Sequence, residues 1–233
     1  MAVCTGAAAA GALPFRVVID PGHTPAQGGA LGVRGQYEVV YNDKLAGQIC
    51  AALKAAGFDA ELTRGPQQDI SLDGRAQFAN ARHADLFLAI HHDSAQLPYL
   101  EKIKVGTLPA YRTTKSITGY SLFVSERNPH FEQSYAFARL LGKEMRALGR
   151  APAVHHAEPI PGENRQWLDA GLGIYRYDDL VVLHKTEMPA VLLEVGVIVD
   201  PSDEAWVSDP ANQQRIVQAV VAAVSRYAAD NRS

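Results

Sequence analysis

With 233 residues, 47% of them hydrophobic, the chain is long enough for one substantial domain and carries none of the compositional bias of a disordered or repeat polymer. Its formal net charge of -3, with acids and bases interspersed, leaves no basic stripe for a nucleic acid or a membrane surface. No run approaches the roughly 18 consecutive apolar residues of a membrane span, and two cysteines, Cys4 and Cys50, make neither a disulfide framework nor a Cys-rich metal site.

Residues 1 to 14, MAVCTGAAAAGALP, lack the basic region and apolar core of an intact signal peptide. They read as a flexible leader left after signal removal, with Cys4 as a lipidation remnant, or as a frayed terminus. Residues 15 to 230 read as one catalytic domain. RVVID (16 to 20), ADLFLAIH (84 to 91) and AVLLEVG (190 to 196) are short, branched and nearly continuously apolar, the pattern of strands covered on both faces. Helical patterns lie between and after them. One runs from 36 to 56 and closes at Gly57; a second, 71 to 83, opens at Ser71. A third covers 130 to 149, and a fourth, 210 to 228, opens at Asp209 and Pro210. Weaker strands are expected at 58 to 62 and 120 to 124. The order predicts an α/β fold, a single domain with a twisted, mostly parallel sheet and helices on both faces. Ligands then belong beyond the carboxyl ends of the strands.

Each central strand delivers a candidate to that edge. His23 follows DPG, a turn that ends the first strand sharply; His91 closes the second, and Glu194 stands near the end of the third. Glu38 joins them by helix arithmetic. At 100° per residue it lies within roughly 20° of Leu45 and Ile49, on the stripe that faces the sheet. An unpaired buried carboxylate costs several kcal/mol, so Glu38 needs a cation, a proton or a metal; a hydrated glutamate at the helix start is the alternative. Two histidines and a glutamate at one sheet edge form a set that zinc accepts, with a fourth position left for water. The doublet HHD at 91 to 93 leaves His91 and His92 as competing ligands, because adjacent strand residues face opposite ways. Glu194, in an apolar strand, is either the partner of an arginine such as Arg64 or Arg75 or a general base that moves protons between water and a leaving amine.

These motifs resemble the zinc-dependent N-acetylmuramoyl-L-alanine amidases of the type 3 class, which cleave bacterial peptidoglycan. The likeness runs from about residue 16 to 228 and rests on IDPGH, GQYEVVYN, ADLFLAIHHDSA and MPAVLLEVGVIVDPSDE, with LTR at 62 to 64 and LDGRAQFAN at 72 to 80 in support. It implies one zinc ion per chain held by His23, Glu38 and His91, with Glu194 as the catalytic base, and it selects His91 over His92. It further implies a peptidoglycan substrate, a periplasmic or otherwise exported location and a monomer, with targeting left to the domain itself, a lost segment or a regulatory protein partner. HTPAQGGALG after the first histidine, His92 and Asp93 after the second, and Val197 and Asp200 after the glutamate depart from the family's usual residues. A zinc peptidase or deacetylase acting on another wall amide, or a non-catalytic wall-binding module, are the competing functions; a binder has no need of Glu194.

The connection from 151 to 179 is polar and rich in Pro and Gly, and connections beyond about 12 to 15 residues tend to be functional. It offers His155, His156, Glu158 and Glu163. Arg165, Trp167 and Tyr175 suit a sugar-peptide chain, so a groove wall is expected, with a glutamate plug over the metal as the alternative. His92, Asp93, Arg165 and Trp167 are the expected substrate contacts.

Overall fold

The computed structural model describes residues 14–231; the expected leader, with Cys4, lies outside the described residues except for Pro14. In chain order the elements are β1 (Arg16–Pro21), α1 (Glu38–Ala55), β2 (Asp59–Leu62), α2 (Leu72–Ala81), β3 (Leu86–Asp93), β4 (Leu100–Val105), β5 (Leu108–Thr113) and β6 (Ser121–Val124). There follow α3 (Phe131–Ala147), β7 (Trp167–Asp169), β8 (Ile174–Arg176), α4 (Val181–His184), β9 (Ala190–Val197), α5 (Pro201–Ser208) and α6 (Pro210–Asn231).

Seven strands form one sheet in the order β2-β1-β3-β9-β6-β8-β7. Strands β2, β1, β3 and β9 run parallel, as does the pair β6 and β8, whereas β6 is antiparallel to β9 and β7 to β8. The sheet is therefore mixed, and its four parallel strands carry the expected α/β core. Alternation along each strand divides the apolar residues between two layers. Val17, Ile19, Leu88, Ile90 and Leu193 pack with Leu45 and Ile49 of α1, Phe137 of α3 and Val220 of α6. Val18, Phe87, Ala89 and Leu192 pack on the other side with Ala79 of α2 and with Val182 and Leu183 of α4. Covering both faces explains why these strands read as unbroken apolar runs.

Local signals set the helix ends. Ser71 Oγ accepts a hydrogen bond from Gly74 N–H at 3.0 Å, and Gly57, just past α1, adopts the left-handed conformation at φ 90° that a residue without Cβ takes without strain. Helix α1 has no side-chain cap. Instead its first N–H groups, from Glu38 and Val39, donate to the carbonyls of Ala30 and Gly28 at 2.8 and 3.0 Å. The glycine-containing loop thus folds back over the helix start and fixes Glu38 against the sheet edge.

Three features add to the expected elements. Strands β4 and β5 form a separate antiparallel hairpin with mostly exposed residues. Strands β7 and β8 draw part of the 151–179 connection into the main sheet. Helix α5 begins at Pro201, and the Asp200 carboxylate accepts hydrogen bonds from the N–H groups of Ser202 and Asp203.

Candidate metal centre and hydrolytic site

Strand β1 ends where Gly22 N–H donates to Ile90 O at 2.9 Å, and the next residue, His23, turns into the left-handed region with φ 61°. A non-glycine residue there is strained and must be held by its surroundings. Two buried arginines hold it. Arg64 Nε and Arg75 Nη2 donate to the His23 carbonyl at 2.9 and 2.5 Å; Arg64 also pairs with Asp43 and Arg75 with Asp20, both at 2.7 Å. Neither arginine is paired with Glu194, so the ion-pair reading of that glutamate does not describe this site. The arginines order the first histidine loop.

Glu38 is 5% exposed and gathers both candidate imidazoles. His23 Nε2 lies 2.9 Å from its Oε2, and His91 Nδ1 3.0 Å from its Oε1. One donor atom from each of the three residues lies within 4.8 Å of the others, an arrangement that could hold a metal ion. Two imidazoles and a carboxylate are the donor types a zinc-class ion takes, so the residues fit the group. Asn42, one turn after Glu38, donates to Oε1 from its Nδ2 at 3.1 Å, and His92 N–H donates to the same oxygen at 3.2 Å. Burial raises the Glu38 pKa, but the two imidazoles outweigh it and hold the carboxyl below the usual range. Burial likewise lowers the His23 pKa, and Glu38 overcomes it to leave a net rise.

His92 takes the other face of β3. It is 2% exposed; its Nδ1 lies 2.8 Å from Asn42 Oδ1 and its ring packs on Tyr41. Burial depresses its pKa to about 4. The expectation that His92 touches substrate is thereby corrected, because its ring is packed between α1 and the sheet. It supports Glu38 through its backbone and through Asn42.

Glu194 pairs in register with His91 on one side and with Ser121 on the other. Its Oε2 is buried without a hydrogen-bond partner, as is Ser121 Oγ. Burial raises its pKa well above that of a free glutamate, and the charges of Asp93, Glu38 and Glu163 raise it further. An unpaired carboxyl beside a candidate metal centre is placed for proton transfer.

A cleft of about 650 Å³ opens at His23 and His91, with Asp69, Leu72, Leu180 and Val182 among its walls. That volume is typical of a ligand site. Arg165 and Trp167, expected in the groove, do not line it. Trp167 stacks on Tyr175 at 3.8 Å between ring centroids, and the Arg165 guanidinium lies 3.5 Å over the Tyr177 ring. Asp93, also expected at substrate, instead has Oδ2 at 2.9 Å from His155 Nε2 and 2.8 Å from His156 Nε2. Burial lowers the His156 pKa, but Asp93 and Glu163 outweigh it and push it up to about 9. The plug alternative finds no carboxylate in place: Glu158 accepts from Tyr99 and pairs with Lys115, while Glu163 sits on His156. Sequence reasoning missed the supports Asn42, Arg64 and Arg75 in these roles; for Asn42 the signal was its spacing of one helical turn from Glu38.

Known proteins share this arrangement of strands and helices. Residues 17–226 match the model of the N-acetylmuramoyl-L-alanine amidase family. The amidase AmiA of Escherichia coli K12 is 26% identical over 220 residues, covering 91% of this chain and 75% of its own length. The catalytic domain of the amidase CwlV from Bacillus (Paenibacillus) polymyxa superposes with a TM-score of 0.69 at 27% identity, over 92% of this chain and 98% of that one. Ami1 of Mycobacterium smegmatis shares the fold, with a TM-score of 0.73 at 20% identity over 93% of this chain and 98% of that one. The chain belongs to the N-acetylmuramoyl-L-alanine amidase family.

Proposed function

We propose that the protein hydrolyses the amide between the lactyl group of N-acetylmuramic acid and the L-alanine of the stem peptide, using one zinc ion held by His23, Glu38 and His91. The observation that carries this reading is the register of Glu194 with His91, which sets a carboxyl with one oxygen buried and unpaired beside a candidate ligand. When bound, zinc polarises the amide carbonyl and lowers the pKa of water from about 15.7 towards about 7. With the metal in place, Glu194 would accept a proton from the attacking water and return it to the departing alanine nitrogen. Burial and the neighbouring carboxylates raise the proton affinity of Glu194, which suits the return step. Arg64 and Arg75 keep His23 in its strained conformation, and Asn42 with the His92 N–H orients Glu38, so the ligands are fixed before substrate arrives. The cleft beside His23 and His91 receives the chain to be cut.

The substrate places the protein in the bacterial cell envelope. A relative from Staphylococcus epidermidis is named a probable cell wall amidase. No helix among the described residues is long and apolar enough to cross a membrane.

Metal analysis of folded variants tests the ligand set. His91→Ala should lose the ion bound by this set and His92→Ala should keep it, and chelation should abolish hydrolysis. Retention in His91→Ala with loss in His92→Ala would overturn the assignment.

A further inference from the structure

A second cluster of donors lies beyond the first, at the end of β3. Asp93 is two residues past His91, and His155 and His156 come from a short 3-10 turn, His155–Ala157. Both Nε2 atoms converge on the same carboxylate oxygen, at 2.9 and 2.8 Å. The donor spacing resembles that of the first set, where the two imidazoles lie 2.9 and 3.0 Å from Glu38. One donor atom from each of Asp93, His155 and His156 lies within 4.8 Å of the others.

Two details set the cluster apart from an ordinary buried ion pair. His156 alone satisfies that description, since its Nδ1 lies 3.0 Å from Glu163 Oε2 and its Nε2 faces Asp93. His155 does not. Its side chain is 2% exposed, its Nε2 lies 2.9 Å from Asp93 Oδ2 outside hydrogen-bond geometry, and its Nδ1 is buried without a hydrogen-bond partner. A buried imidazole without hydrogen bonds is costly unless something accepts its lone pair. The carboxylate on the distal nitrogen of His156 is the support that metal-binding histidines commonly carry. Asp93 is oriented too, because Ser94 N–H donates to its Oδ1 at 2.7 Å and leaves Oδ2 to the imidazoles.

We propose that Asp93, His155 and His156, with Glu163 orienting His156, form a second site for a divalent transition metal of the zinc class, distinct from the set at His23, Glu38 and His91. Imidazole and carboxylate donors in this ratio favour zinc, cobalt or related ions over calcium or magnesium. An ion there ties the 155–163 segment to the end of β3, two residues beyond His91. The proposal needs only these four side chains and does not depend on which amide the protein cleaves.

Cobalt titration of the full chain, stripped of metal by chelator and dialysis, tests it. Wild type should bind about two equivalents of Co2+, and His91→Ala and His155→Asn about one each, with folding checked by circular dichroism. In His91→Ala the remaining equivalent should give the intense visible absorption of low-coordinate cobalt, so the result does not depend on how well His155→Asn folds. A single equivalent in wild type that disappears in His91→Ala would overturn the second site and leave the first intact. Two equivalents retained in both His155→Asn and Asp93→Asn would also overturn it. A single equivalent in wild type that is kept, with its spectrum, in His91→Ala and lost in His155→Asn would support the second site whatever the fate of the hydrolytic reading.

Discussion

Glu194 stands opposite His91 in the β3–β9 ladder, with its Oε2 buried and unpaired. That pairing separates two roles within one site: His91 belongs to the candidate ligands and Glu194 does not.

The separation predicts the behaviour of Glu194→Gln. Glutamine is nearly isosteric, so the variant should fold and retain metal at His23, Glu38 and His91 while turnover falls by about 10² to 10⁴, the usual worth of a positioned acid-base group. Single-turnover kinetics alongside metal analysis measures both. Near-normal turnover would remove Glu194 from the chemistry.

Gly22 yields a different kind of variant. A Cβ at this position would stand 2.2 Å from His91 Nε2, well inside van der Waals contact, so the imidazole must move. Gly22→Ala should therefore fold but bind metal at the first set about 10- to 100-fold more weakly, the loss expected when a ligand's orientation is disturbed. Competition with a chromophoric chelator gives the affinity; wild-type affinity would mean that His91 is not held where the ladder puts it.

These two residues also mark what the sequence makes legible. His23, His91 and Glu194 sit at the ends of apolar runs whose strand character is unmistakable, and Glu38 lies on a periodic helical stripe, so their convergence follows from topology alone. Asp93 meets His155 and His156 across 62 and 63 residues through an irregular turn, and no periodicity encodes that encounter. The hairpin of β4 and β5 has little buried face to impose alternation, while β7 and β8 are three residues each, too short for a pattern. Arg64 and Arg75 stand out in the sequence only as possible partners of Glu194, because the partners they take depend on the path of the His23 loop.

Asp200 predicts an acid limit to stability. Burial raises its pKa, but hydrogen bonds from Ser202, Ile117, Asp203 and Thr113 outweigh it and leave a net depression. A carboxyl lowered in the folded state stabilises fully above its unfolded pKa of about 3.9, and that contribution is lost as pH falls through the lower folded value. Asp200→Asn keeps a cap for α5 but sets an amide NH2 against the donors of Thr113 and Ile117, so it should cost about 1 to 3 kcal/mol at pH 7. The difference from wild type should shrink at about pH 3, below the unfolded pKa of about 3.9, because there the unfolded carboxyl takes up a proton that the folded one resists. Urea unfolding of both proteins at the two pH values checks the sign; a difference that grows with acid would contradict it.

The central claim concerns which bond is cut. Mass spectrometry of purified peptidoglycan digested by the protein, with and without chelator, tests it most directly. The account predicts stem peptides released with a free L-alanine amine and glycan strands whose muramic acid keeps its lactyl carboxyl and its N-acetyl group, with neither product formed under chelation. Peptides cut at an internal bond, acetate released from the glycan, or the same products at full rate after the metal has been removed would contradict it.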